Sequence, residues 1–131
     1  MKIVIDTNVV ASAIFFGGKP RQLIDRLVNK EIEAYATKEI IAEYHETVEY
    51  LFEKYPLKQM SSPLKIITDT MTVIETTSNI DVCRDPDDNK FIECAVDAGC
   101  LCIVSGDKDL LTVEKYEDIM IMTVAGFLDL A

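Results

Sequence analysis

Apolar positions along this chain change period several times, and each change marks an element. Ile3-Val4-Ile5 is an unbroken β-branched run, which predicts a buried strand, and Asp6 follows it directly. The small and apolar stretch VVASAIFFGG ends in two glycines, as a helix and its stop would. Pro20 then starts a second helical segment, with Leu23, Ile24, Leu27 and Val28 at 3–4 spacing. Ile32 to Ala36 alternates as a strand does. Thr37 is placed to cap the clearest amphipathic helix of the chain, in which Ile40, Ile41, Tyr44, Val48, Leu51 and Phe52 recur at helical spacing until Pro56. Ser61, Ser62 and Pro63 open another helix to about Met71, and Val73 to Thr76 reads as a strand. Asp85 before Pro86 is a cap followed by a first-turn proline, so a helix is expected from Pro86 to Ala98, stopped by Gly99. Cys102 to Val104 is a buried strand, followed by a turn at Gly106 and a short helix. Ile119 to Met122 is a last strand and Val124 to Leu130 a closing helix.

Strands alternating with helices from end to end predict an α/β domain with a mostly parallel sheet. The 131 residues show no repeat, low-complexity tract or linker, and suit one domain spanning 1–131. With 49% hydrophobic and 27% charged residues, the chain has enough apolar surface to exclude disorder. No apolar run approaches the ~18 residues of a membrane span, and MKIVIDTNVV lacks a signal-peptide layout. A soluble cytoplasmic protein with no membrane partner is expected. Cys83, Cys94, Cys100 and Cys102 contain no C-x-x-C pair, so they read as reduced, apolar thiols rather than as a zinc site or a disulfide scaffold. His45 is the only histidine and lies in the glutamate-rich AEYHETVEY, which removes most histidine-based catalysis and metal binding.

The acids carry the chemistry. Residues 81–109 hold eight acids against three bases, an imbalance that an ordinary solvated face does not show. Asp6 and Asp107 come just after buried strands, at the carboxyl edge where open α/β sheets place their ligand crevice. If those two strands are central neighbours, the two carboxylates lie within reach of each other. Asp88 shares a helix face with Phe91, Ile92 and Ala95 and therefore points inward. Asp85 and Asp87 read as cap and helix-dipole residues. Glu43 and Glu49 sit at opposite margins of their helix's apolar stripe, and spacing alone does not choose between them. Carboxylates converging without histidine or thiol imply a hard cation, Mg²⁺ or Mn²⁺, and Mg²⁺ takes phosphate oxygens readily as further ligands. Phosphodiester hydrolysis is the natural reaction of such a site.

IDTNV, AEY, RDPDDNKFIECA and IVSGDKDLL, in this order, resemble the four motif blocks of the PIN-domain nucleases. The likeness is greatest to the small stand-alone toxins of toxin–antitoxin pairs, relatives of VapC-type toxins. The resemblance implies a three-layer α/β sandwich with a central, mostly parallel sheet of about five strands. It implies an endoribonuclease that uses Mg²⁺ or Mn²⁺ on RNA, and a cognate antitoxin. By motif position the acids are Asp6, Glu43 rather than Glu49, Asp88 and Asp107, with Asp109 as an auxiliary ligand. Asn8 is the polar residue after the first acid, and Ser105 fills the Ser/Thr position of the last block.

A formal net charge of -10 opposes the binding of a polyanion. The bases available near the motifs are Lys19, Arg21, Arg84, Lys90 and Lys108. A basic partner or a homodimer groove would reconcile charge and substrate, with Phe15, Phe16 and the Tyr50–Phe52 region as apolar contacts. A basic antitoxin segment could also set an Arg among the acids. Two other readings use the same aspartates. A phosphoacceptor signalling module would need a Lys at the end of a late strand, and Lys108 and Lys115 are read as lying elsewhere. A non-catalytic binding module would keep the acids as structure only.

Overall fold

In a computed structural model that describes residues 1–56 and 63–130, the elements run β1 (Lys2–Ile5), α1 (Thr7–Phe15), α2 (Gly18–Val28), β2 (Glu33–Ala36), α3 (Lys38–Lys54), α4 (Leu64–Asp69) and β3 (Thr72–Val73). They continue with α5 (Asn89–Ala98), β4 (Cys102–Val104), α6 (Lys108–Leu111), β5 (Lys115–Tyr116), β6 (Ile119–Met122) and α7 (Val124–Leu130). Ser61 and Ser62, expected to open a helix, lie outside the described residues. The sheet order is β3-β2-β1-β4-β6-β5. The pairings β1–β2, β1–β4, β2–β3 and β4–β6 are parallel, so the expected mostly parallel α/β sheet is present. The sheet has six strands rather than about five, because Lys115–Tyr116 turns back antiparallel onto β6. That addition rests on a tight turn in which Glu117 takes φ 52°, a left-handed position with no glycine to announce it. It also puts Lys115 in a strand, contrary to the reading, but at the far edge of the sheet with β6 between it and β4.

β1 and β4 are the fully buried centre: Ile3, Val4, Ile5, Ile103 and Val104 have no exposed surface. Two helical crossovers, through α1–α2 and α3–α4, run from β1 outward to β2 and β3, and the rest of the chain returns to the other side. The order therefore reverses between β1 and β4, the usual place for a ligand crevice in such sheets. Local chemistry accounts for most element ends. The Thr37 hydroxyl accepts from the Ile40 amide at 3.2 Å, and Ile40, Tyr44, Val48 and Phe52 form the buried stripe of α3. Thr37→Ala should lower stability by ~1 kcal/mol in urea denaturation, the usual cost of losing such a cap. Asp85 accepts from the Asp87 amide and Pro86 follows, as expected, but the first turn, Pro86–Asp88, is 3₁₀ and the α-helix proper begins at Asn89. α2 starts two residues before Pro20, which is accommodated in the first turn, where its missing N–H costs nothing. Gly99 adopts φ 67° and ends α5.

All four cysteines are unpaired and buried, and burial pushes their thiols up to about 11 or 12, so they remain protonated apolar groups. Of the aromatic residues read as partner contacts, Phe15 and Phe52 pack edge to face in the core. Phe16 and Tyr50 remain exposed, at 66% and 61%. No helix among the described residues is long and apolar enough to cross a membrane.

Candidate active site

The carboxyl ends of β1 and β4 bring two acids together. The register pairs Ile5 with Val104, and the ladder continues one step further as the Asp6 amide donates to the Val104 carbonyl at 2.9 Å. The next turn fixes the side chains. The buried Ser105 hydroxyl donates to Asp6 Oδ2 at 2.8 Å and accepts from the Asp107 amide at 2.9 Å. Asp107 caps α6 by accepting from the Asp109 amide at 2.9 Å. Asp6 is 3% exposed. Burial pushes its carboxyl up to about 6, against the Ser105 hydrogen bond, and the charges of Asp107 and Glu43 add to the rise. Ser105 thus bridges Asp6 and the Asp107 amide, whereas Asn8 lies exposed on α1. Its buried neighbour Thr7 is the residue of this segment that bonds an acid, donating its hydroxyl to Glu43.

Glu43 reaches the same place from α3. The buried Tyr44 hydroxyl donates to the Ile5 carbonyl at 2.5 Å, which pins α3 to the end of β1. One position earlier, Glu43 Oε2 accepts from the Thr7 hydroxyl, and Oε1 accepts from Lys90 Nζ at 2.7 Å. Glu49 is exposed and points away, so the side chain reaching the crevice is Glu43.

Asp88 comes from the 3₁₀ turn before α5, whose Phe91, Ile92, Cys94 and Ala95 face the core. It is 7% exposed, and its Oδ2 has no hydrogen-bond partner among the described residues. Burial pushes its carboxyl up to about 7, and Asp107, Asp85 and Asp6 add to the rise. Asp85, Asp88 and Asp109 each offer a carboxylate oxygen, and these lie within 4.8 Å of one another. Asp85 is therefore a cap, as read, and also a member of the acidic cluster, which the sequence reading did not anticipate. The D-P-D-D spacing held the signal: a cap residue three positions before an inward acid sits beside it.

The acid excess of residues 81–109 divides into two groups. Asp97 accepts from the Thr77 and Ser78 amides and Glu93 from the Ile80 amide, so both anchor the loop before α5. Asn89 completes the anchor, accepting from the Val82 and Cys83 amides at 3.1 and 2.9 Å. Three of the five bases read as substrate contacts are already engaged. Arg21 pairs with Asp25, Arg84 with Asp109, and Lys90 with Glu43 and Asp87. Lys19 and Lys108 are exposed and carry no ion pair among the described residues.

Four segments distant in sequence thus deliver Asp6, Glu43, Asp85 with Asp88, and Asp107 with Asp109 to one sheet edge. The donor set is oxygen only. A buried, unpartnered carboxylate oxygen and two carboxyls pushed upward by burial and by neighbouring carboxylates describe a site short of positive charge. These carboxylates fit a hard divalent cation.

A family model described as PIN domain matches residues 2–109. An uncharacterized protein of Methanocaldococcus jannaschii is 36% identical over 118 residues, covering 86% of this chain and 75% of that protein. Among solved structures, VapBC2 from Rickettsia felis bound to a DNA fragment from their promoter contains a chain of similar fold. The TM-score is 0.63 at 14% identity, over 92% of this chain and 97% of that one.

Proposed function

Because this chain belongs to the PIN-domain family, we propose that it is a divalent-metal-dependent endoribonuclease and the toxin of a toxin–antitoxin pair. The observation that supports this reading is the mutual influence of acids from separate segments: Asp107 and Glu43 raise Asp6, Asp107, Asp85 and Asp6 raise Asp88, and Asp85, Asp88 and Asp109 bring carboxylate oxygens within 4.8 Å of one another. Mg²⁺ or Mn²⁺ held chiefly by the aspartates of this set, with Asp109 as auxiliary ligand, would neutralise charge on the reacting phosphate and make a water more acidic. The protein's own part is positioning. Ser105 holds Asp6, Thr7 and Lys90 hold Glu43, and the α6 cap holds Asp107 beside them. Such fixed ligands limit where a phosphodiester can sit.

RNA is the proposed substrate, and a cognate antitoxin and a second copy of the chain are the proposed partners. With Arg21, Arg84 and Lys90 engaged by acids, Lys19 and Lys108 are the bases left to meet a phosphate backbone, so RNA affinity should be weak and strongly salt-dependent. An antitoxin of basic character would suit this acidic surface, and the exposed Phe16 and Tyr50 offer apolar contacts to either protein partner.

The direct test is cleavage of single-stranded RNA by the purified chain in Mn²⁺ against EDTA. Cleavage that needs the cation is expected, and Asp6→Asn should remove it. Equal rates for wild type and Asp6→Asn would overturn the assignment. The two glutamates of α3 give a sharper comparison. Glu43→Gln should slow cleavage ~10- to 100-fold, as loss of a group that supports the metal ligands does. Glu49→Gln should stay within about twofold, as for a surface change.

A further inference from the structure

Two cations reach the acidic crevice: Arg84, which pairs with Asp109 at the rim and is 70% exposed at its side chain, and Lys90, which lies within. Lys90, on α5, is only 13% exposed at its side chain. An ammonium has three N–H donors. Here three acceptors surround it: Glu43 Oε1 at 2.7 Å, the Asp87 carbonyl at 2.9 Å and Asp87 Oδ2 at 3.0 Å. Glu43 is equally committed, since Oε2 accepts from Thr7 while Oε1 accepts from Lys90. Asp88 differs, having an oxygen with no partner among the described residues. Glu43 is therefore compensated by Lys90, and Asp109 at the rim by Arg84, whereas Asp6, Asp88 and Asp107 face no cation of their own among the described residues.

We propose that the Lys90 ammonium is a built-in counter-ion for Glu43, standing where a second divalent cation would otherwise bind, so that the site takes one divalent cation, on the aspartate side. This inference rests on the metal-dependent reading above. A Lys–carboxylate pair that is largely screened from water holds its charges together without a metal, and a divalent cation at Glu43 would have to meet Lys90 at short range. Lys90 is thereby a positioning residue, acting through Glu43.

Calorimetric titration of the full chain with Mn²⁺ at ~0.15 M salt, where distant surface charges are screened, tests this. The wild type should bind one ion and Lys90→Met two. The second ion should be lost again in Lys90→Met combined with Glu43→Gln. Lys90→Arg, which keeps the charge, should bind one ion. Lys90→Gln, carrying the same expectation as Lys90→Met, serves if the methionine variant fails to fold by circular dichroism. Equal stoichiometry in wild type and Lys90→Met would overturn the counter-ion role and leave the metal-dependent reading standing. Two ions in Lys90→Arg would overturn it also, because charge would then not be the cause. Absence of binding in every variant would overturn both.

Discussion

Asp88→Asn should weaken Mn²⁺ binding and RNA cleavage by at least ~100-fold while making the cation-free protein more stable. The first part follows from ligand chemistry. Loss of groups that merely support a metal ligand costs ~10- to 100-fold, and Asp88 is read as a ligand itself, with a buried oxygen that has no partner within the described protein. The second part follows from crowding. The Asp88 carboxyl is pushed from its ordinary 3.8 up to about 7 by burial and by Asp107, Asp85 and Asp6. Each unit of such a rise reflects ~1.4 kcal/mol by which the folded state disfavours the charged form. A neutral amide of the same shape removes that penalty, and its N–H₂ can donate to the neighbouring carboxylates. A gain of ~2 kcal/mol is expected in urea denaturation at pH 8 in EDTA. A purely structural aspartate would behave oppositely, losing stability on substitution. A variant that kept Mn²⁺ affinity and cleavage rate would remove Asp88 from the site.

The cation-free protein should lose stability as pH rises from about 4 to about 8, by roughly 3 kcal/mol or more, and regain it on addition of Mn²⁺. Asp6 and Asp88 are both raised in the folded state, to about 6 and about 7. Unfolded, each titrates near 3.9. Between those values the folded chain binds more protons than the unfolded one, so stability falls with increasing pH. The contribution of these two groups is complete below about pH 4 and is lost as pH passes through 6 and 7. Asp87 and Asp97 act in the other direction. Lys90 and the Ser78 amide hold them below the ordinary range, so their contribution is lost only as pH falls. Both are largely exposed and offset little of the effect. Denaturation curves at pH 5 and pH 8 in EDTA measure the difference. The Asp6→Asn, Asp88→Asn double variant should flatten it, and a wild type that is as stable at pH 8 as at pH 5 would contradict the crowding described here.

Much of this was legible in the linear pattern. The β-branched run before Asp6, the apolar stripe behind Thr37 and the Asp-Pro cap before α5 are local signals, because strand burial, helix periodicity and capping depend on residues a few positions apart. They placed every parallel strand within a residue or two, except β3, which is shorter and earlier than Val73–Thr76. That edge strand owes its extent to pairing with β2 rather than to its own composition. The antiparallel β5 escaped for a related reason, its turn being held by non-glycine residues in left-handed conformations. The positions of Asp6 and Asp107 after buried strands, and of Asp88 on an inward face, were likewise local inferences.

What the tertiary structure alone decided are relations between segments. Nothing in the spacing of α3 separates Glu43 from Glu49. The Tyr44 bond to the Ile5 carbonyl sets the rotation and height of the helix, and so which glutamate meets Thr7. Nor does composition tell a free base from an engaged one. Arg84 and Lys90 read as cations for a polyanion, yet both are spent on carboxylates 25 and 47 residues distant in sequence. Periodicity and capping are short-range and survive in a one-dimensional reading. Charge compensation depends on through-space distance, which exists only once β1 and β4 lie side by side and the helices have closed over them.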